Sequence, residues 1–139
     1  MARKNERGAN LIEFALLAPL LILLLFGIIE FSWVFAQNLN VRHGAREGAR
    51  LAAVDFTPLI SETCSRMDLV TGAEVTIAGT EINGTSGFGP GDEVAVTVDA
   101  PIQEITGLFT TLLPTNLDST VAIRVEQPAT WTNGTTSCP

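Results

Sequence analysis

The longest hydrophobic segment of the chain has no polar face. From Phe14 to Ile29 the sequence FALLAPLLILLLFGII runs for sixteen residues without a charge, with Glu13 before it and Glu30 after it. A helix this apolar has no side to turn towards water, so the pattern predicts a span surrounded by lipid. In a straight helix the two flanking carboxylates lie about 26 Å apart, close to the roughly 30 Å hydrocarbon thickness of a bilayer. Continuing through Phe31, Trp33, Val34 and Phe35 to Ala36 gives length enough to cross with some tilt, and Trp33 falls where interfacial aromatic residues gather. Pro19 predicts a kink rather than an end, because membrane helices tolerate such breaks. Glu30 is expected at the outer interface, exposed.

Beyond Ala36 the pattern becomes helical and mixed. Arg42, Arg46 and Arg50 recur every four residues and share one face, while Gly44, Gly48 and Ala52 form a second stripe. With no proline in this stretch, a single rod from Leu11 to Val54 is predicted, 44 residues and about 66 Å long. The arginine stripe has two readings: a solvated face near lipid headgroups, or a contact with acidic faces of neighbouring subunits. The small-residue stripe is either ordinary tolerance of glycine or a surface for close backbone approach. His43, alone on a polar segment, reads as solvated.

After residue 56 a short helix is followed by segments of period two. Thr57 and Pro58 predict the N-cap and first residue of a short helix that runs to about Leu69 and carries Cys64. Val75 and Ile77 within 74–82, then Val94, Val96 and Val98, then Val121, Ile123 and Val125 within 120–126, alternate with polar or small residues and predict three strands. NGTSGFGPGD at 83–92 is a loop. Between the second and third strands Ile102, Ile105, Leu108, Phe109, Leu112 and Leu113 recur at helical spacing, which predicts a short helix or compact crossover packed into the core. A lipid- or partner-docking patch is the alternative. TWTNGTTSCP at the end reads as a polar tail. The expected class is α+β, a long N-terminal transmembrane helix followed by a small domain with a three-stranded antiparallel sheet.

Charge narrows the function. The formal net charge of −7 argues against a nucleic-acid partner, which would need a basic surface. Two cysteines, one histidine and no tyrosine offer neither a zinc-ligand spacing nor a nucleophile with its base, so no metal, cofactor or enzymatic activity is expected. A domain of this size has a modest core, and a covalent bond between Cys64 and Cys138 would reinforce it in an oxidising compartment. Two free thiols, or pairing with another chain, remain open. Asn83-Gly84-Thr85 and Asn133-Gly134-Thr135 match glycosylation sequons. The basic residues flanking the span are balanced, Arg3, Lys4 and Arg7 before it against Arg42, Arg46 and Arg50 after it. Orientation therefore does not follow from them alone.

Three explanations compete for the N-terminus: a cleaved secretory signal, a plain anchor and a prepilin-type signal. The apolar core is too long for the first and contains Glu13, and helical sequence continues past any small-residue cut. A plain anchor gives no reason for Glu13, since an intramembrane carboxylate is costly without a partner. Arg3, Lys4 and Arg7 precede Gly8, and counting from Ala9 puts Glu13 fifth. This arrangement is similar to the class III signal of type IV pilin precursors. More closely, RGANLIEFALLAPLLILLLFGIIEF at 7–31 with AREGARLAAV at 45–54 resembles the TadE-like family, minor pseudopilins of tight-adherence (Flp) pilus systems.

The resemblance implies a leader at 1–8 removed after Gly8 by a prepilin peptidase, with Ala9 the new N-terminus. It further implies a transmembrane helix at 9–36, an extramembrane continuation at 37–56 and an exported domain at 57–139. Glu13 would act in subunit assembly by pairing with the Ala9 amine of a neighbour; the alternative is that it only snorkels to the cytoplasmic headgroups. Implied partners are the lipid bilayer, other pilin or pseudopilin subunits and an inner-membrane assembly platform. The implied location is the inner or cytoplasmic membrane, N-terminus inside, with incorporation in a pilus. A membrane-tethered extracytoplasmic binding module that does not assemble is the competing expectation.

Overall fold

The computed structural model describes residues 3–82, 84 and 87–139, with side chains from Gly8 onward. Met1 and Ala2 of the expected leader, and Asn83 and Thr85 of the first sequon, lie outside the described residues. The chain begins with one helix, α1 (Arg3–Ala53), which is 51 residues long and contains Pro19. Its C-terminus is closed by the loop that follows. The Phe56 amide donates to the Leu51 carbonyl at 3.0 Å and the Asp55 amide to that of Ala52 at 3.2 Å, with Asp55 itself at φ 51°. This is a Schellman turn, built on an aspartate where glycine is usual. The Asp55 carboxylate adds a second bond, accepting from the Thr130 amide at 2.7 Å. Trp131 Nε1 donates to the Ala52 carbonyl at 2.8 Å, and the Glu126 amide to that of Ala53 at 2.8 Å. The carbonyls of Leu51, Ala52 and Ala53 are thus met partly by the turn itself and partly by the C-terminal part of the chain.

The remainder comprises α2 (Leu59–Ser65), β1 (Glu74–Thr80), β2 (Glu93–Pro101), β3 (Asn116–Arg124) and β4 (Gly134–Ser137). Among the described residues they form an α+β domain whose sheet has four strands, not the three expected, in the order β3-β2-β1-β4. Every pairing is antiparallel. The additional strand comes from the segment read as a polar tail. All four residues of β4 are exposed, so no alternation marked it. Backbone pairing with Glu74–Ile77, a hydroxyl contact of Thr76 with Thr135 at 2.8 Å, and the Gly79 amide donating to Asn133 Oδ1 at 2.6 Å hold it. That last bond occupies the asparagine of the second sequon.

Two other boundaries move. Helix α2 begins at Leu59, after Pro58 in an extended conformation, and stops at Ser65 instead of about Leu69. The residues after it are drawn to α1, where Asn40 accepts from the Leu69 amide at 3.2 Å and donates to Asp68 Oδ1 at 3.2 Å. Strand β3 starts at Asn116, four residues before the expected 120, because pairing with β2 continues as far as Pro101 opposite Asn116. The inward parity is kept: Leu117 and Val125 are buried and Val121 is half-buried, although Ile123 is 37% exposed.

The core lies between one face of the sheet and the upper part of α1. Val75, Val94, Val96, Val98 and Ala100 meet Val41, Ala45, Ala49 and Ala52. The small-residue stripe is the reason that a sheet and a second helix can come this close. A Cβ at Gly44 would overlap the Met67 thioether, and one at Gly48 would lie 3.0 Å from Thr63 Cγ2 and 3.1 Å from Val96 Cγ1. The close approach is made within the chain, and the arginine stripe occupies the opposite, exposed side. Thr63 and Val96 are fully buried and β-branched, so neither can yield easily. Gly48→Val is therefore expected to destabilise the fold by about 2–3 kcal/mol, read by denaturant unfolding of the full chain in detergent. Arg46→Ala on the exposed side should stay within about 0.5 kcal/mol of the parent. Equal effects at the two positions would mean that α1 does not pack on the sheet in this orientation.

Candidate membrane and assembly surfaces of the first helix

The residues singled out at the N-terminus stand on the part of α1 that the domain does not cover. Gly8, Ala9 and Glu13 are exposed, as is every residue from Gly8 to Phe26 except the half-buried Ala18. Phe14, Leu16, Leu20 and Leu21 are 67%, 74%, 62% and 59% exposed, an apolar cylinder that water would solvate poorly. Among the described residues α1 is the single helix long and apolar enough to cross a membrane. A chain with one such N-terminal helix has the form of a single-pass membrane protein. Glu13 is an ionisable group on a surface that is apolar from Leu11 to Phe26 apart from it. Among residues with described side chains, the ion pairs are Arg50–Glu47 at 3.8 Å and Arg66–Glu62 at 2.7 Å, and neither involves Glu13.

The domain begins to cover α1 at Gly27, where an added Cβ would meet Phe109 Cζ at 3.5 Å. One turn further on, Glu30 departs from expectation. It is fully buried, not exposed at an interface. Its carboxylate accepts from the Ile105 amide at 2.9 Å, the Thr106 amide at 2.9 Å and the Thr106 hydroxyl at 2.7 Å. Three donors compensate the desolvation of the charge, which a bare apolar setting would not. Two turns higher, the fully buried Gln37 makes a reciprocal pair with Gln103: its Nε2 donates to the Gln103 carbonyl at 2.8 Å, and its Oε1 accepts from the Gln103 amide at 2.8 Å. Residues 30 and 37 are seven apart and share a helix face, so both fix one segment to α1.

That segment, 102–115, is not the helix or core crossover expected from its spacing. It is a turn-rich loop lying along α1. Gly107 takes φ 69°, which breaks a helical run. Only part of its apolar set packs inward. Phe109 meets Phe31 with ring centroids 5.8 Å apart, and Ile102 and Leu113 are half-buried. Ile105, Leu108 and Leu112 are 55%, 64% and 72% exposed.

Cys64 on α2 and Cys138, just after β4, are joined in a disulfide across a sequence separation of 74. The Cys138 amide also donates to the Ala73 carbonyl at 2.7 Å. This bond lies by the upper half of the domain, far along the chain from the bare helix, and fastens the C-terminus to the core. Gly8, Ala9 and Glu13 are therefore grouped on one open surface, and the cysteines form a separate structural element. Glu30 and Gln37 were missed as a pair. The available signal was two polar residues at heptad spacing in line with the glycine stripe of α1.

Residues 8–50 match a family model described as TadE-like protein. The matched segment is the helix from the predicted cleavage glycine to the last arginine of the stripe. No curated protein and no solved structure is significantly similar to the chain.

Proposed function

We propose, from the premise that residues 8–50 are a TadE-like segment, that this protein is a pseudopilin-type subunit of a tight-adherence (Flp-type) pilus system. A prepilin peptidase cuts it after Gly8, and the mature chain sits in the cytoplasmic membrane with its sheet domain outside. The reading is supported above all by the division of α1 into two parts. The upper part is clasped by the domain, whereas 8–26 is bare, apolar and carries one carboxylate. Such a helix is stable in lipid, and it can also pack against copies of itself when its acid is neutralised.

Cutting after Gly8 removes three basic residues and one acid and leaves an amine on Ala9 that is cationic near neutral pH. Ala9 and Glu13 are four residues apart on one face, about 6 Å along the axis. The Glu13 of one subunit then meets the Ala9 amine of the next, which sets the axial stagger between neighbouring helices. The inner-membrane platform of the pilus system delivers subunits to this contact. The test is the mass and N-terminal sequence of the membrane-extracted protein co-expressed with its peptidase. A start at Ala9 is expected. An intact start at Met1 or Ala2 would overturn processing and favour a tethered, non-assembling binding module.

A further inference from the structure

We infer that the 102–115 loop is a membrane-inserted foot: Ile105, Leu108 and Leu112 enter the outer leaflet beside α1, and Glu30 and Gln37 hold the loop backbone against the helix. The inference rests on the reading that α1 spans a bilayer, and its test separates the two. Three observations lead to it.

The first is depth. If the inner hydrocarbon boundary lies at Glu13, Gly27 stands about 21 Å above it and the outer boundary, about 30 Å above it, falls near Trp33. Phe109 packs at the level of Gly27 and Phe31. The loop tip is then roughly 9 Å inside the hydrocarbon edge, the depth to which interfacial amphipathic segments sink. Raising the loop clear of lipid would draw Glu13 into the hydrocarbon by the same distance.

The second is continuity. Phe31 and Phe35 are 50% and 64% exposed, so the lipid-facing side of α1 runs past the level at which the loop docks. Ile29 and Phe31, exposed on either side of the Glu30 face on which the loop docks, and Ile105, Leu108 and Leu112 of the loop all present apolar side chains at this level. The third is polarity. Within 102–115 the single charged residue is Glu104, half-buried between the two clasps and on the side towards Gln37. The amides of Leu112 and Leu113 bond the Phe109 carbonyl, that of Leu108 the Thr106 hydroxyl, and those of Ile105 and Thr106 the Glu30 carboxylate, so these five donors need no water. A carboxylate in the apolar run is thereby masked from lipid by the same contact.

The experiment uses the full chain reconstituted at high dilution in phosphatidylcholine vesicles, with or without acyl chains brominated near the headgroup end. Native Trp33 reports whether α1 meets lipid at its outer boundary. Trp131, bonded to the Ala52 carbonyl, lies about 37 Å further along the helix than Gly27 and serves as the reference outside quenching range. In a Trp33→Phe background, the indole introduced by Leu108→Trp or Leu112→Trp is expected to lose emission to the same extent as Trp33 does in the parent, while Trp131 does not. Quenching of Trp33 without quenching at 108 or 112 would overturn the foot and leave the membrane helix standing. Failure to quench either would overturn both. Loss of quenching as the protein-to-lipid ratio rises, with emission staying blue-shifted, would assign the surface to a second copy of the chain and overturn the lipid assignment.

Discussion

Replacing both cysteines, Cys64→Ala with Cys138→Ala, is expected to destabilise the folded domain by about 4 kcal/mol, the chain-entropy value for a closed loop of this length. The separation of 74 residues encloses most of the domain, so the bond restricts nearly all of its unfolded ensemble. Against a total stability of some 5–15 kcal/mol for an ordinary domain, this is a large share. The local consequence follows from β4. Its four residues bury no apolar surface, so what keeps it beside β1 is backbone pairing, a few side-chain bonds and the covalent link at its end. Denaturant unfolding of the full chain in detergent, followed by Trp131 emission, checks the magnitude. Amide exchange checks the order of events: residues 134–137 should lose protection first, ahead of β2. A double variant as stable as the parent would show that the hydrogen bonds of Asp55, Asn133 and Trp131 suffice.

The strands and helix that the sequence revealed are those whose side chains face two different surroundings. Val94, Val96 and Val98 alternate with smaller or polar residues because one face of β2 is core, and each is fully buried. The run from Phe14 to Ile29 declares itself by having no polar side at all. Strand β4 was hidden because neither of its faces is buried, and pairing through the backbone leaves no trace in side-chain pattern. The 102–115 loop misled for the opposite reason. Six apolar residues at helical spacing read as a core helix, but their spacing serves two surfaces: Phe109 turns to α1, whereas Leu108 and Leu112 turn outwards. Glu30 escaped because a carboxylate beside an apolar run is ordinarily at an interface. Its burial depends on donors 75 and 76 residues away in the chain, which no local window contains.

Glu13→Gln is expected to reduce recruitment of the subunit into filaments by roughly a hundredfold or more, since an unpaired charge in a low-dielectric packing costs about 3–5 kcal/mol and the lone Ala9 amine of the neighbour would then be that charge. Glutamine preserves size and hydrogen-bonding capacity, so the substitution removes the ion pair and little else. The fold should not change, because the domain covers α1 only from Gly27 onward, fourteen residues above the site. Membrane insertion should be unaffected or slightly easier, as a neutral amide costs less in lipid than a carboxylate. The quantities to compare are subunit content in sheared filaments and subunit content in the membrane fraction, for the parent, Glu13→Gln and Glu13→Asp. Aspartate keeps the charge on a shorter stem and should retain part of the recruitment. A graded series, parent above aspartate above glutamine, with equal membrane levels throughout, is the signature of charge pairing. If glutamine enters filaments as well as the parent does, Glu13 reports only the depth of the helix in its membrane, and helix stagger must be set by the apolar surfaces alone.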